Sequence, residues 1–152
     1  MTAEPTPEHT WLARLLGEWS WASETVPGFE EHPPGSGKET FRSIGAVWVQ
    51  GDGEGEYGTT QMTLGFDPRT GRFVGAWIGS AMTHLWVYDG ALDGDNRLQL
   101  HSVGPSFSGD GTLAPYRDEI ELVSADERVL RAYTQGADGV WTHFMTTRYR
   151  RV

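Results

Sequence analysis

The residues with the widest chemical repertoire in this chain are histidines and acids set among aromatics. The densest stretch is residues 73–88, FVGAWIGSAMTHLWVY. Folded as a hairpin turning at 79–81, it gathers Phe73, Gly75, Trp77, Met82, His84, Trp86 and Tyr88 on one face. The opposite face ends in Arg72 and Asp89, a pair suited to solvent. An inward aromatic face holding one histidine is what a small-molecule pocket needs: apolar walls and a few orienting polar groups. Gly75 would then leave a gap where a side chain would otherwise fill the interior. The competing reading is a filled core, in which His84 is a satisfied buried histidine.

A second acid–aromatic group opens a late strand. Tyr116 and Asp118 share strand parity with Ile120 and Leu122. A carboxylate in register with an apolar face is costly unless paired. It therefore points to an inward polar contact with an arginine or histidine, unless 116–118 lie at a rim. Together, His84 and Asp118 would make a general acid–base pair, because histidine exchanges protons near neutral pH. That requires the two groups to reach each other or the same substrate. Trp21, on an alternating first strand, Gln61, on a middle strand, and His143, on the last strand with Trp141, Met145 and Thr147 on its face, complete the set. The candidate ligand-binding residues are thus Trp21, Gln61, Trp77, His84, Trp86, Tyr116, Asp118 and His143. No residue is assigned as catalytic.

Sharper motifs are missing. No His-Glu-x-x-His or nucleophile elbow occurs, and GDGEGE at 51–56 lacks the lysine of a phosphate loop. The calcium-loop pattern is also absent. His84, His101 and His143 would hold a metal only if three strands converged, so no metal is expected. His9 and His32 fall in tail and loop segments.

The elements that must position these residues are mostly strands. Residues 1–9 read as a flexible tail, and 10–152 as a single domain. A short helix over Glu8–Leu16 places Trp11, Leu12, Leu15 and Leu16 on one face, and Gly17 ends it. Strands follow from Trp19 and over Lys38–Gln50, Tyr57–Phe66, Arg72–Ile78, Met82–Tyr88, Arg97–Val103, Tyr116–Ser124, Arg128–Gln135 and Val140–Arg150. GDGEGE at 51–56, DPRTG at 67–71 and DGDN at 93–96 are turns between them. Residues 27–37 and 104–115 are long loops, and long loops are often functional. With about nine strands and no interleaved helix, the chain is all-β rather than βαβ. Closing the antiparallel sheet into a barrel removes its edges.

Composition narrows the function. The chain has 152 residues, 12 Lys plus Arg and 21 Asp plus Glu, for a net charge of -9. Nucleic acid and anionic membrane would both ask for a basic face, so neither is an expected partner. Apolar runs are too short to span a bilayer. The absence of cysteine excludes disulfides and thiolate metal sites and fits a reducing cytoplasm. The first residues lack a basic start and an apolar run, which matches a cytoplasmic location.

Gly17-Glu18-Trp19 follows the helix, and the chain closes on Arg148, Tyr149, Arg150 and Arg151. This resembles the calycin arrangement of lipocalins and their relatives, where an arginine of the last strand covers a tryptophan of the first. Such a cation–indole contact contributes about 0.5–2 kcal/mol. Arg148 and Arg150 share parity, and either would serve. Gly17, Trp19, Arg148 and Arg150 are accordingly structural candidates. The fold expected is a single antiparallel calycin/lipocalin-like β-barrel with the helix closing one end.

Further stretches carry a family likeness: TLGFDPRTGRFVGAW at 63–77, THLW at 83–86, YRD at 116–118, LGEW at 16–19, and Tyr149-Arg150. Together they resemble the bacterial domain-of-unknown-function family 1579 over roughly residues 8–152. That resemblance implies a calycin-like barrel and supplies no catalytic residue. HFMTT at 143–147 is similar to the last strand of nitrobindins, small barrels whose C-terminal-strand histidine ligates haem. It implies His143 as a haem ligand. Four readings stand open: a barrel for a small apolar or aromatic ligand with no cofactor, a haem barrel, an enzyme using His84 and Asp118, and a filled structural or homodimerising module.

Overall fold

Ten strands wind once around a lumen, each antiparallel to the next, and the tenth pairs with the first to close the barrel. The structure, a computed structural model, describes residues 2–152. The elements are helix α1 (Pro7–Ala13) and strands β1 (Gly17–Glu24), β2 (Ser36–Ile44), β3 (Trp48–Gly55), β4 (Gly58–Asp67), β5 (Arg72–Gly79), β6 (Trp86–Leu92), β7 (Arg97–Pro105), β8 (Leu113–Leu122), β9 (Glu127–Gln135) and β10 (Trp141–Arg151). Among the described residues, no helix is long and apolar enough to cross a membrane.

The tenth strand comes from 38–55. The expected strand over 38–50 breaks at Gly45, whose φ of 62° suits a turn, and GDGEG at 51–55 runs on as strand in β3, the turn falling at Glu56 and Tyr57. Its glycines face inward. A Cβ on Gly51 would strike the Phe41 ring, and one on Gly55 the Trp21 ring. They are therefore room for neighbouring aromatics, not a turn.

The helix closes one end. Trp11, Leu12 and Leu15 point into the core with Leu64, Phe73, Leu98 and Ile120. The Trp11 indole N–H donates to the Asp95 carbonyl at 2.8 Å. The helix starts earlier than expected. His9 is 6% exposed: its Nδ1 accepts from the Thr6 backbone N–H at 2.9 Å, so Nε2 carries the hydrogen toward the Phe66 carbonyl at 3.0 Å. The segment to residue 9 is thus not a tail as a whole; Met1, its first residue, lies outside the described residues.

Trp19 is buried beside two arginines, but not those expected. The Arg151 guanidinium lies 4.2 Å from its ring centroid and that of Arg128 lies 4.9 Å away. The register places Trp19 opposite Arg151, while Arg148 and Arg150 point outward to Glu24 and Glu127. Gly17 has a φ of 116°, and a Cβ there would meet the Arg151 guanidinium.

Candidate functional site

Packing fills the helix end of the barrel and leaves the other end hollow. A cavity of about 840 Å³ occupies the lumen there. The antiparallel order brings both long loops to its mouth, together with the β5–β6 connection. The β5–β6 hairpin turns its aromatic face inward, with Trp77 opposite Trp86 and Gly75 opposite Tyr88. Arg72 and Asp89 meet outside through two hydrogen bonds, at 2.9 and 3.1 Å.

The connection is longer than expected. Residues 80–85 leave the sheet, and His84 reaches across to the Val103 carbonyl with Nε2 at 2.9 Å. Its ring stands edge-on to Trp86 at 4.8 Å, and Trp86 stands edge-on to Tyr116 at 4.9 Å. A Cβ on Gly104 would strike the Trp86 indole, so that glycine seats the wall. Gly75 does not act as expected. A Cβ there would meet the Thr63 carbonyl of β4, so its absence relieves strand–strand contact instead of opening the lumen.

The depth of the cavity is polar. The Tyr88 hydroxyl donates to Asp118 Oδ2 at 2.6 Å. Burial pushes the Asp118 carboxyl up to about 6, with the Tyr88 hydrogen bond opposing it. Burial also holds the Tyr88 hydroxyl well above the usual phenol range, and the nearby Asp118 charge adds to this. Tyr149 is raised in the same way, chiefly by burial. Beside it, Arg128 and Glu39 form an ion pair whose side chains are only 3% and 9% exposed. The Arg128 guanidinium also lies 3.6 Å from the Tyr149 ring centroid.

Six of the eight expected ligand-binding residues surround one space: Trp21, Trp77, His84, Trp86, Tyr116 and Asp118 all line the cavity. Two do not. Gln61 points outward and donates to Asp52 Oδ1 at 3.1 Å, because the inward positions of β4 are Thr60 and Met62. His143 is also outside. A β-bulge between His143 and Met145 reverses the alternation of β10, so that Met145, Thr147 and Tyr149 face the lumen. His143 lies instead in an outer cross-strand row with His101, Arg117 and Tyr133. There its Nε2 is within 2.7 Å of Thr146 Oγ1, and Arg117 stacks on Tyr133 at 4.4 Å. Burial and the Arg117 charge together lower the His101 pKa. His143 therefore does not fit a haem held in the barrel.

His84 and Asp118 line the same cavity but are not hydrogen-bonded to each other. Each has its own partner, Val103 for one and Tyr88 for the other. Among the described residues, no group of three histidines or acids is arranged to hold a metal.

Several lining residues escaped the sequence reading. Phe107 of the second long loop packs on Phe144 at 4.9 Å and faces Phe29 of the first loop at 6.1 Å. Arg128 and Glu39 share strand parity with Leu130 and Phe41, a signal present in the sequence. Phe144 had none, because its inward position depends on the bulge.

Comparison with curated proteins finds no match. Among solved structures, Rv2717c from M. tuberculosis is 14% identical and aligns over 98% of this chain and 99% of its own, with a TM-score of 0.59, which indicates a common fold. EF1p2_mFAP2b, solved bound to DFHBI, is 13% identical over 95% of this chain and 98% of its own, with a TM-score of 0.47. A family model described as a protein of unknown function (DUF1579) matches residues 4–151, nearly the whole sequence, and the chain belongs to that family.

Proposed function

We propose that this barrel binds one small, largely apolar or aromatic molecule in its lumen. The observation that carries this reading is the unfilled space itself. A cavity of about 840 Å³ lies within the range of small-molecule sites, roughly 300–1,000 Å³. Its walls are the rings of Trp21, Trp77, Trp86 and Tyr116, which supply large contact areas with little freedom to lose on binding. Most of the lining is apolar, and the polar groups deep in it include Asp118, Tyr88 and Ser102, where they would orient a ligand. A barrel that served only as a structural module would gain stability by filling this volume, since empty apolar space forfeits packing energy.

The test is a fluorescence titration with N-phenyl-1-naphthylamine, an uncharged probe that brightens in apolar surroundings. Saturable enhancement with one probe per chain is expected. Ser102→Trp, which places an indole in the lumen, should weaken binding by about tenfold or more, by occupying volume the probe needs. Trp77→Ala should weaken it by a similar factor through lost ring contact. Circular dichroism would confirm that both variants remain folded. Absence of saturable enhancement in the wild-type chain, or full retention in a folded Ser102→Trp variant, would overturn the reading.

A further inference from the structure

We propose that the lumen selects a cationic ligand, an apolar amine or protonated nitrogen heterocycle whose positive group docks on Asp118 between aromatic faces. This rests on the reading of the lumen as a binding cavity, and it specifies the charge of what binds there.

The first argument is the charge inventory. Inside the barrel stand Glu39, Asp118 and Arg128. Glu39 and Arg128 neutralise each other as an ion pair. Asp118 has no cationic partner, and its one hydrogen bond among the described residues comes from the neutral Tyr88 hydroxyl. Three more carboxylates, Glu24, Glu31 and Glu54, stand around the rim, where Arg148 pairs with Glu24. An ionised carboxylate removed from bulk water is costly until a cation or several donors meet it. A ligand ammonium supplies both charge and donor hydrogens at once.

The second argument is the wall. Aromatic faces attract cations through the ring quadrupole, and more strongly where water is excluded. This protein already uses that contact for its own arginines, Arg128 over Tyr149 and Arg151 over Trp19. Trp21, Trp77, Trp86 and Tyr116 offer rings to the lumen with no arginine or lysine stacked on them. An anionic ligand would meet these ring faces and Asp118 together, both unfavourable. The chain's net charge of -9 also raises the local concentration of cations around the mouth.

The selection should depend on pH through Asp118. The titratable or charged groups facing it are Tyr88 of β6, Tyr149 of β10, Glu39 of β2 and Arg128 of β9, with His84 at the rim; β7 presents only Leu100 and Ser102. Both tyrosines are raised and stay neutral at physiological pH. Asp118 is ionised above about pH 6 and neutral below it. Affinity for a cation should therefore fall on acidification, while that for a neutral ligand of the same shape should not.

The experiment is displacement of N-phenyl-1-naphthylamine from the full chain by three matched compounds: 1-naphthylmethylamine, 1-naphthalenemethanol and 1-naphthoate. At pH 7.5 the amine should bind about tenfold more tightly than the alcohol, the scale of one charge-assisted hydrogen bond, and the carboxylate should bind weakest. The amine-to-alcohol ratio should shrink between pH 7.5 and pH 5. In Asp118→Asn most of the amine's advantage should be lost, and what remains should not change between the two pH values. An amine that displaces the probe no better than the alcohol overturns cation selection and leaves the cavity reading standing. A ratio that survives undiminished in Asp118→Asn overturns Asp118 as the docking group, and this proposal with it. Failure of the probe itself to bind removes the cavity reading and this one together. The pH series on the wild-type chain decides the matter even where the variant does not fold.

Discussion

Asp118 is a carboxyl group held where its charged form is disfavoured, and that has a consequence for stability. In the unfolded chain it loses its proton near 3.8, and in the folded barrel near 6. Between those values the native state holds more protons than the unfolded state, so stability from this group falls as pH rises through the window. Above it the full cost applies, about 3 kcal/mol for a displacement of about two pK units. Asparagine keeps the acceptor for the Tyr88 hydroxyl and removes the titration. Asp118→Asn should therefore raise the urea midpoint at pH 7.5, by about 1–3 kcal/mol in free energy after some loss of local fit. Near pH 4 the gain should vanish. A difference between wild type and variant that stays constant from pH 4 to 7.5 would show that Asp118 ionises freely in the folded protein. A group destabilised in this way suits a position kept for a ligand.

Among the strands, glycine and aromatic residues work as pairs. Trp86 lies over Gly104 of β7, and Trp21 lies over Gly37 and Gly55 of β2 and β3. Gly104→Ala should push the Trp86 indole off its seat at a cost of about 1–3 kcal/mol, the usual range for overpacking. The readouts are a lower melting temperature and a changed near-ultraviolet circular dichroism signal, since Trp86 also packs on His84 and Tyr116. Unaltered spectra and stability would mean that the ring has room to move. These pairs also explain what was legible in the sequence. Alternation located most strands and separated the two faces of 73–88, because a buried side forces period two; the choice of the inward one came from its aromatic residues and from Arg72 and Asp89 on the other. Alternation put Tyr116 and Asp118 on the face of Ile120 and Leu122 and left open whether they lie inside or at a rim. It failed where local backbone breaks the period. The glycines of β3 look like a turn until the rings that cover them are known. The bulge in β10 sends His143 outward and Phe144 inward, and nothing in HFMTT marks it. Arg151 replaced Arg148 and Arg150 over Trp19 because pairing register is fixed by partner strands.

At the scale of the whole molecule, the barrel is asymmetric along its axis. One end is sealed by α1 and packed solid, and the other carries both long loops. The mouth of the lumen is bordered by these loops and the β5–β6 connection, and rings of the two loops meet there. Phe107 is central to that meeting, touching Phe29, His32, Tyr116 and Phe144, yet it remains 51% exposed. A side chain half in water contributes less to holding a ligand than one on the wall, but it narrows the passage. Phe107→Ala should therefore change rates more than affinity. In stopped-flow mixing with N-phenyl-1-naphthylamine, association and dissociation should both quicken, by about three- to tenfold, while Kd shifts by no more than about threefold, because a gate adds to the barrier in both directions. If only dissociation quickens and Kd rises in proportion, Phe107 is part of the binding wall and the mouth does not limit access. If neither rate moves, the loops part faster than the probe arrives, and access is governed by diffusion into an already open barrel.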